Sequence, residues 1–191
     1  MQPLTPSRET EKGATMSTRT VLHDADMSRA LTRIAHEILE SNKGPDSLVI
    51  LGIPTRGVTL ARRIADLVSR FGGAEVPAGS LDVTMYRDDL HRNPTRSPRP
   101  TEIPAGGIDG RTVVLVDDVL FSGRSIRAAL DALQDIGRPA AVRLAILVDR
   151  GHRELPIRPD FVGKNLPSAR DERVNVRVLE VDGVDEVAIG S

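Results

Sequence analysis

Apolar residues recur along this chain with two periods, and the switches between them divide it into elements. Over residues 27–40, Leu31, Ile34, Ala35, Ile38 and Leu39 stand at helical spacing, and Asn42-Lys43-Gly44-Pro45 ends the run. Residues 47–53 form a near-continuous apolar stretch, the mark of a buried strand. They pass through Pro54-Thr55-Arg56-Gly57 into an amphipathic helix over 58–70. Alternation over 81–86 predicts a second strand. Further strands are expected over 112–116, 142–148, 174–179 and 187–189, with a helix over 125–136. Strands alternating with helices imply one α/β domain over residues 19–191, built on a mainly parallel sheet with right-handed crossovers.

Two stretches lack a period. Residues 1–16 are polar and predict a disordered leader that reaches about residue 18. Residues 91–107 hold Pro94, Pro98, Pro100 and Pro104, several arginines and almost no apolar side chains. Structureless stretches of that length inside a compact domain are usually functional, so a flexible lid is expected within a loop over about 87–110.

Composition narrows the function classes. The chain has 191 residues, 26 basic against 27 acidic, so no globally basic surface announces a nucleic-acid binder and DNA is not expected as a partner. Any such role must rest on a local patch. Aromatic residues make up 2% (Phe71, Tyr86, Phe121, Phe161), too few to stack several single-stranded bases. There is no cysteine, which removes disulfides, thiol nucleophiles and thiolate-bound zinc. No apolar run approaches the ~20 residues that span a bilayer, and the first residues lack the order of a secretory signal. A cytoplasmic protein without a membrane partner is expected.

The candidate chemistry sits in one run, Val113-Val114-Leu115-Val116-Asp117-Asp118-Val119-Leu120-Phe121-Ser122-Gly123-Arg124-Ser125. Its apolar start should be a central strand that delivers Asp117 and Asp118 to its carboxyl end, where ligands bind in open α/β sheets. Gly123 permits close backbone approach, Ser122 and Ser125 supply hydroxyls, and the free N–H groups of the following helix are aimed at an anion. A terminal phosphate fits there. Carboxylates beside a phosphate repel it, so they take another part: accepting hydrogen bonds from ribose hydroxyls, or meeting a magnesium ion held by diphosphate.

The run resembles the phosphoribosyl pyrophosphate (PRPP) signature of the type I phosphoribosyltransferases. The resemblance implies that fold, with a small hood, and Mg2+ bound together with PRPP. It implies that Asp117 and Asp118 contact the ribose and that Ser122, Gly123, Arg124 and Ser125 hold the 5′-phosphate. Thr55 and Arg56 match the loop that takes the leaving diphosphate. Asp117, Asp118 and Arg56 are thereby the catalytic candidates, and Arg87, Val119, Leu120 and Phe121 complete the set expected to bind PRPP or UMP.

Tyr86-Arg87-Asp88-Asp89-Leu90, the run 147–158, Asp160-Phe161-Val162-Gly163-Lys164-Asn165 and Leu31-Thr32-Arg33-Ile34-Ala35-His36-Glu37 are similar to the PyrR family, over about residues 20–190. That family comprises bifunctional regulators of pyrimidine operons and uracil phosphoribosyltransferases. The resemblance implies uracil as acceptor, with Phe161 packing on the base and the Val162 backbone hydrogen-bonding it. The 6-oxopurine enzymes, which share a Pro-Asp-Phe-Val-Gly stretch, carry an aspartate where this chain has Phe121 and a lysine where it has Asp149. A uracil salvage enzyme without a role toward RNA is the other alternative. Helical spacing separately puts Thr32, Arg33 and His36 on one arc, opposite Leu31, Ile34, Ala35 and Ile38. With Arg153, Arg158 and Lys164, the resemblance assigns these to a surface for pyrimidine-operon messenger RNA on a homodimer or higher oligomer, strengthened by UMP through linkage.

Overall fold

The computed structural model describes residues 18–89 and 97–190. In chain order it holds β1 (Thr18–His23), α1 (Asp24–Asn42), β2 (Leu48–Gly52), α2 (Arg56–Gly72), β3 (Ala78–Ser80), a 3-10 turn (Thr84–Tyr86), β4 (Thr112–Leu120), α3 (Arg124–Ile136), β5 (Ala141–Asp149), β6 (Phe161–Asn165), β7 (Arg173–Arg177), α4 (Leu179–Asp182) and β8 (Glu186–Gly190). Five strands make a parallel sheet in the order β3-β2-β4-β5-β6, and three make a small antiparallel hood in the order β1-β8-β7.

The central strand β4 explains the run of valines. Val113 and Leu115 pack on the α3 side, while Val114 and Val116 pack under α1 and α2. A parallel strand covered on both faces has no polar side to present, so it reads as continuous rather than alternating. Each large aliphatic side chain so buried contributes roughly 1.5–3 kcal/mol. On α1, Met27, Ala30, Leu31, Ile34, Ala35 and Ile38 are buried and Arg33 and His36 are exposed, as the spacing predicts. The helix starts earlier than its apolar period. The Asp26 carboxylate accepts the His23 N–H (3.0 Å), and Asp24 adds a second acid to the first turn.

Several expectations need correction. Residues 81–86 are not a strand: the edge strand lies at Ala78–Ser80. The Asp82 carboxylate accepts from the Thr84 hydroxyl (2.7 Å) and N–H (3.3 Å), and this local bond turns the backbone into the 3-10 turn. β4 runs on through both aspartates to Leu120, paired with Asp149 at its end. β1 and β6 carry too few apolar residues to be read as strands, yet both pair.

The loop over 87–110 is not one free excursion. Ser80 and Glu102 exchange backbone hydrogen bonds (3.0 and 2.9 Å), the Ser80 hydroxyl donates to the Pro100 carbonyl (3.0 Å), and Ile108 is buried. Its far limb is therefore stitched to β3, while residues 90–96 lie outside the described residues, as does the leader over 1–17.

Candidate active site

β2 and β4 are neighbours, and their crossovers leave the sheet on opposite sides. The crevice at their carboxyl ends is the switch point of the fold. Two strand–turn–helix units meet there. From β2, Ile53-Pro54-Thr55 leads into α2, anchored by the Ile53 N–H on the Val116 carbonyl (2.9 Å); the Pro54–Thr55 peptide is cis. Gly57 lets this turn lie against β4, since a Cβ there would come within 2.6 Å of the Val116 carbonyl oxygen. From β4, Phe121-Ser122-Gly123 turns into α3. Gly123 has φ +91°, and a Cβ on it would meet Ile157 at 2.9 Å, so both backbone conformation and space demand glycine.

Asp117 is buried and Asp118 half-buried. Each is oriented by a backbone N–H one residue on: Asp118 N–H to Asp117 (2.9 Å) and Val119 N–H to Asp118 (2.8 Å). A cavity of about 270 Å³ opens beside them, lined by Arg87, Asp88, Asp89, Asp117 and the continuous stretch 119–126. A second, of about 530 Å³, is lined by Pro54, Thr55, Asp82, Val83, Thr84, Arg87 and Ser97-Pro98-Arg99. Arg87 borders both. The sequence-predicted Val119, Leu120, Phe121, Ser122, Gly123, Arg124 and Ser125 thus converge on one cavity, and Thr55 on its neighbour.

The turn after β4 is buttressed from behind. The Glu154 and Leu155 N–H groups donate to the Ser122 carbonyl (3.0 and 3.1 Å), and Arg153 donates to the Phe121 carbonyl (3.1 Å). Arg150 is buried, lies over the Phe121 ring (4.3 Å to its centre) and donates to the Ser168 hydroxyl (3.0 Å) and Ala169 carbonyl (2.8 Å). Burial pushes this guanidinium down from its ordinary value. His152 meets the same ring edge-on at 5.9 Å.

Arg87, Arg124 and Arg56 have acidic partners. Arg87 forms a fork with Asp89 (2.8 and 2.7 Å), and Arg124 reaches Glu154 (2.8 Å) and Asp88 (2.5 Å). Arg56 forms a fork with Asp182 (3.0 and 2.7 Å). The Asp182 hydrogen bond raises the Arg56 value and Asp118 adds to it; the Asp89 bond does the same for Arg87, assisted by Asp88 and Asp117.

Phe161 is misplaced by the sequence reading. It is 6% exposed and sits in the core beneath α1, near Ile38, Leu48 and Val114, at the level of Val116 rather than beyond the strand ends. The Val162 carbonyl accepts from Arg33 (3.0 Å), as the Gly163 carbonyl does (2.6 Å), so that Arg33 covers the edge strand β6. Of the residues assigned to RNA, Thr32, Arg33 and His36 line one groove on α1, with His36 stacked on Phe71 at 4.2 Å, and Arg158 and Lys164 are exposed. Arg153 is instead occupied behind the turn after β4, held by Asp149 (2.6 Å) and the Ile157 carbonyl (2.9 Å). Asp82, Asp88, Glu154 and Asp182 were not assigned to the site; the arginine partners of the last three lie too far along the chain for spacing to find them.

Residues 17–181 match the family model of the phosphoribosyl transferase domain. A protein of Leifsonia xyli subsp. xyli named bifunctional protein PyrR is 72% identical over 179 residues, covering 91% of this chain and 97% of that protein. One of the same name from Streptomyces coelicolor is 65% identical, covering 91% of this chain and 90% of that protein. The chain belongs to the PyrR family. Solved structures of hypoxanthine phosphoribosyltransferases share the PyrR-family chain's fold: that of a Trypanosoma cruzi mutant, a ternary substrates complex, has TM-score 0.70 at 15% identity, covering 90% of this chain and 94% of that one. That of Staphylococcus aureus has TM-score 0.65 at 18% identity, covering 88% and 90%. Among the described residues of this PyrR-family protein, no helix is long and apolar enough to cross a membrane, and no group of three or more His, Cys, Asp or Glu is placed to hold a metal.

Proposed function

We propose that this chain makes UMP and diphosphate from uracil and PRPP, and that, as a cytoplasmic homo-oligomer, it binds its pyrimidine operon's messenger RNA more tightly with UMP bound. One observation carries the catalytic half: Asp117 and the 121–125 turn line the first cavity, and Arg87 borders both it and the second, which Thr55 and Arg99 line. The 5′-phosphate takes the N–H groups of the 122–126 turn, Asp117 and Asp118 accept from the ribose hydroxyls, and the diphosphate lies toward Thr55, Arg56, Arg87 and Arg99. The bond from C1 to diphosphate oxygen breaks, a bond from C1 to the uracil ring nitrogen forms, and that nitrogen loses its proton. The protein's part is alignment and compensation of the departing charge.

Magnesium fits this donor set as a ligand-borne ion: two adjacent carboxylates suit a cation that keeps most of its shell from diphosphate and water. When bound, it would neutralise charge on the leaving diphosphate. Asp149 and Phe121 favour uracil over a 6-oxopurine. Burial pushes the Asp149 carboxyl up, but the Arg153 hydrogen bond and the Gly151 N–H outweigh it and hold it below its ordinary value. An anion there cannot make the donation to the 6-oxo group that a lysine at this position makes in the 6-oxopurine enzymes, which counts against a purine rather than for any one pyrimidine.

The test pairs two assays of the full chain. Turnover with PRPP should be seen with uracil and be absent with hypoxanthine; the reverse preference would refute the base assignment. Messenger-leader binding at stated salt should tighten with UMP. Turnover without binding above a scrambled RNA would leave a salvage enzyme.

A further inference from the structure

Two arginines a pair of turns apart on α2, Arg56 and Arg63, both reach the hood, and they are held differently. Arg63 is enclosed by two carboxylates. It donates through Nε and Nη2 to Glu180 (2.8 Å for Nε) and through Nη1 and Nη2 to Asp185 (2.9 Å each). Arg56 has one carboxylate partner. Its Nε–Nη2 edge forms the fork with Asp182, whose Oδ2 also accepts the Val178 N–H at 2.9 Å. That fork leaves the Nη1 end of the guanidinium outside it. The Arg56 side chain keeps 34% of its surface exposed, against 22% for Arg63. Arg56 also follows Thr55, which lines the second cavity, and feels the charge of Asp118.

We propose that Asp182 is a positioning residue for the diphosphate half of the substrate: it fixes the guanidinium of Arg56 so that the open Nη1 end meets the diphosphate, and thereby favours diphosphate-bearing ligands over monophosphate ones. A flexible arginine loses rotamer freedom on binding an anion, and a planar fork already locked along one edge loses less. The carboxylate sets the plane and the ligand takes the remaining donors. Asp182 stands 126 residues from Arg56 in sequence. The proposal rests on the functional reading above, and in particular on diphosphate occupying the cavity beside Thr55.

The experiment is calorimetric titration of the full chain, with magnesium, using inorganic diphosphate, PRPP and UMP in turn. The proteins are wild type, Asp182→Asn, Asp182→Glu and Arg63→Gln. Asp182→Asn should weaken diphosphate and PRPP by up to about 10-fold, the scale of ordering one flexible side chain on binding. UMP affinity should change less than about 2-fold, and Asp182→Glu should recover part of the loss. Arg63→Gln loosens the same seam without touching Arg56 and should leave the ratio of diphosphate to UMP affinity at the wild-type value. Tighter diphosphate binding in Asp182→Asn would overturn the proposal by making the pair a competitor. An equal loss of UMP affinity, or a matching loss in Arg63→Gln, would overturn it by making the effect one of hood docking. A wild-type protein that binds UMP but neither diphosphate nor PRPP would instead overturn the functional reading.

Discussion

The two turns that meet at the switch point share a plan and differ in how they are held. Both follow a buried parallel strand, both open a helix, and both need glycine where the backbone comes close to a neighbour. The turn after β4 is fastened by backbone hydrogen bonds from residues 154 and 155 and backed by Arg150 and Arg153. Near the turn after β2, Arg56 and Arg63 tie the start of α2 to the acids of the hood. Amide hydrogen bonds do not titrate and are little affected by salt, whereas partly exposed ion pairs respond to both. The β4 half leans mainly on amide bonds, with ion pairs at Arg124 and Arg153 beside them, and the β2 half on ion pairs to the hood, with the Ile53 amide bond beneath them.

The sharpest way to break that comparison is to remove what the halves share. Replacing both Asp117 and Asp118 with Asn should lower kcat/KM for PRPP by about 10³, at the upper end for lost preorganised electrostatics. Steady-state kinetics with UMP affinity measured alongside would show whether the two turns serve one ligand; unchanged turnover would separate them. Next in size, Gly123→Ala forces a side chain to φ +91° and into Ile157. The backbone alone costs roughly 1–2 kcal/mol, so UMP should bind about 10-fold or more weakly. Wild-type affinity would mean that the turn tolerates movement.

Arg150→Met should cost about 2 kcal/mol through its lost hydrogen bonds, a fall in Tm of roughly 4–8 °C by calorimetry. An unchanged Tm would show that the Phe121 ring and residues 168–169 hold the buttress without it.

The smallest effect distinguishes the halves by acid. Hydrogen bonds from Arg56 hold the Asp182 carboxyl below its ordinary value, and those from Arg63 do the same for Glu180. Burial pushes Asp185 up, but its Arg63 and Leu179 N–H bonds prevail and lower it. Groups whose values are depressed by folding contribute stability above their unfolded values, near 4, and lose it as pH falls through the depressed ones. Amide exchange over 179–190 should therefore rise as pH drops below about 4, after correction for intrinsic rates, while 121–126, held by amide bonds with the Arg153–Asp149 pair behind them, should loosen less. Equal loosening of both segments would erase the contrast.

The readability of the site in the sequence follows the same division. The β4 turn was legible because strand, aspartates, glycine and helix start are consecutive, and local chemistry dictates each. The hood's hold on α2 was not, since Arg56 and Asp182 are brought together only by the tertiary fold. Phe161 misled because its sequence neighbourhood resembles a base-binding segment, while its register opposite Ala145 turns the ring into the core. The 81–86 stretch alternated like a strand, but Asp82 captured the backbone of Thr84. Arg153 had the residue type of an RNA contact, and only the position of Asp149 four residues before it hinted at an internal partner.

The hood's connectivity carries a consequence for how the protein is made. β8 is its middle strand, flanked by β1 and β7, and Thr18 pairs with Gly190. A chain emerging from the ribosome can close the five-stranded sheet once β6 is out, because each of those pairings is complete by residue 165. β1 must wait until the last strand arrives, across a closure that spans nearly the whole described chain. The five-stranded sheet can thus close before residues 173–190 are made, and its cover only once β8 has emerged.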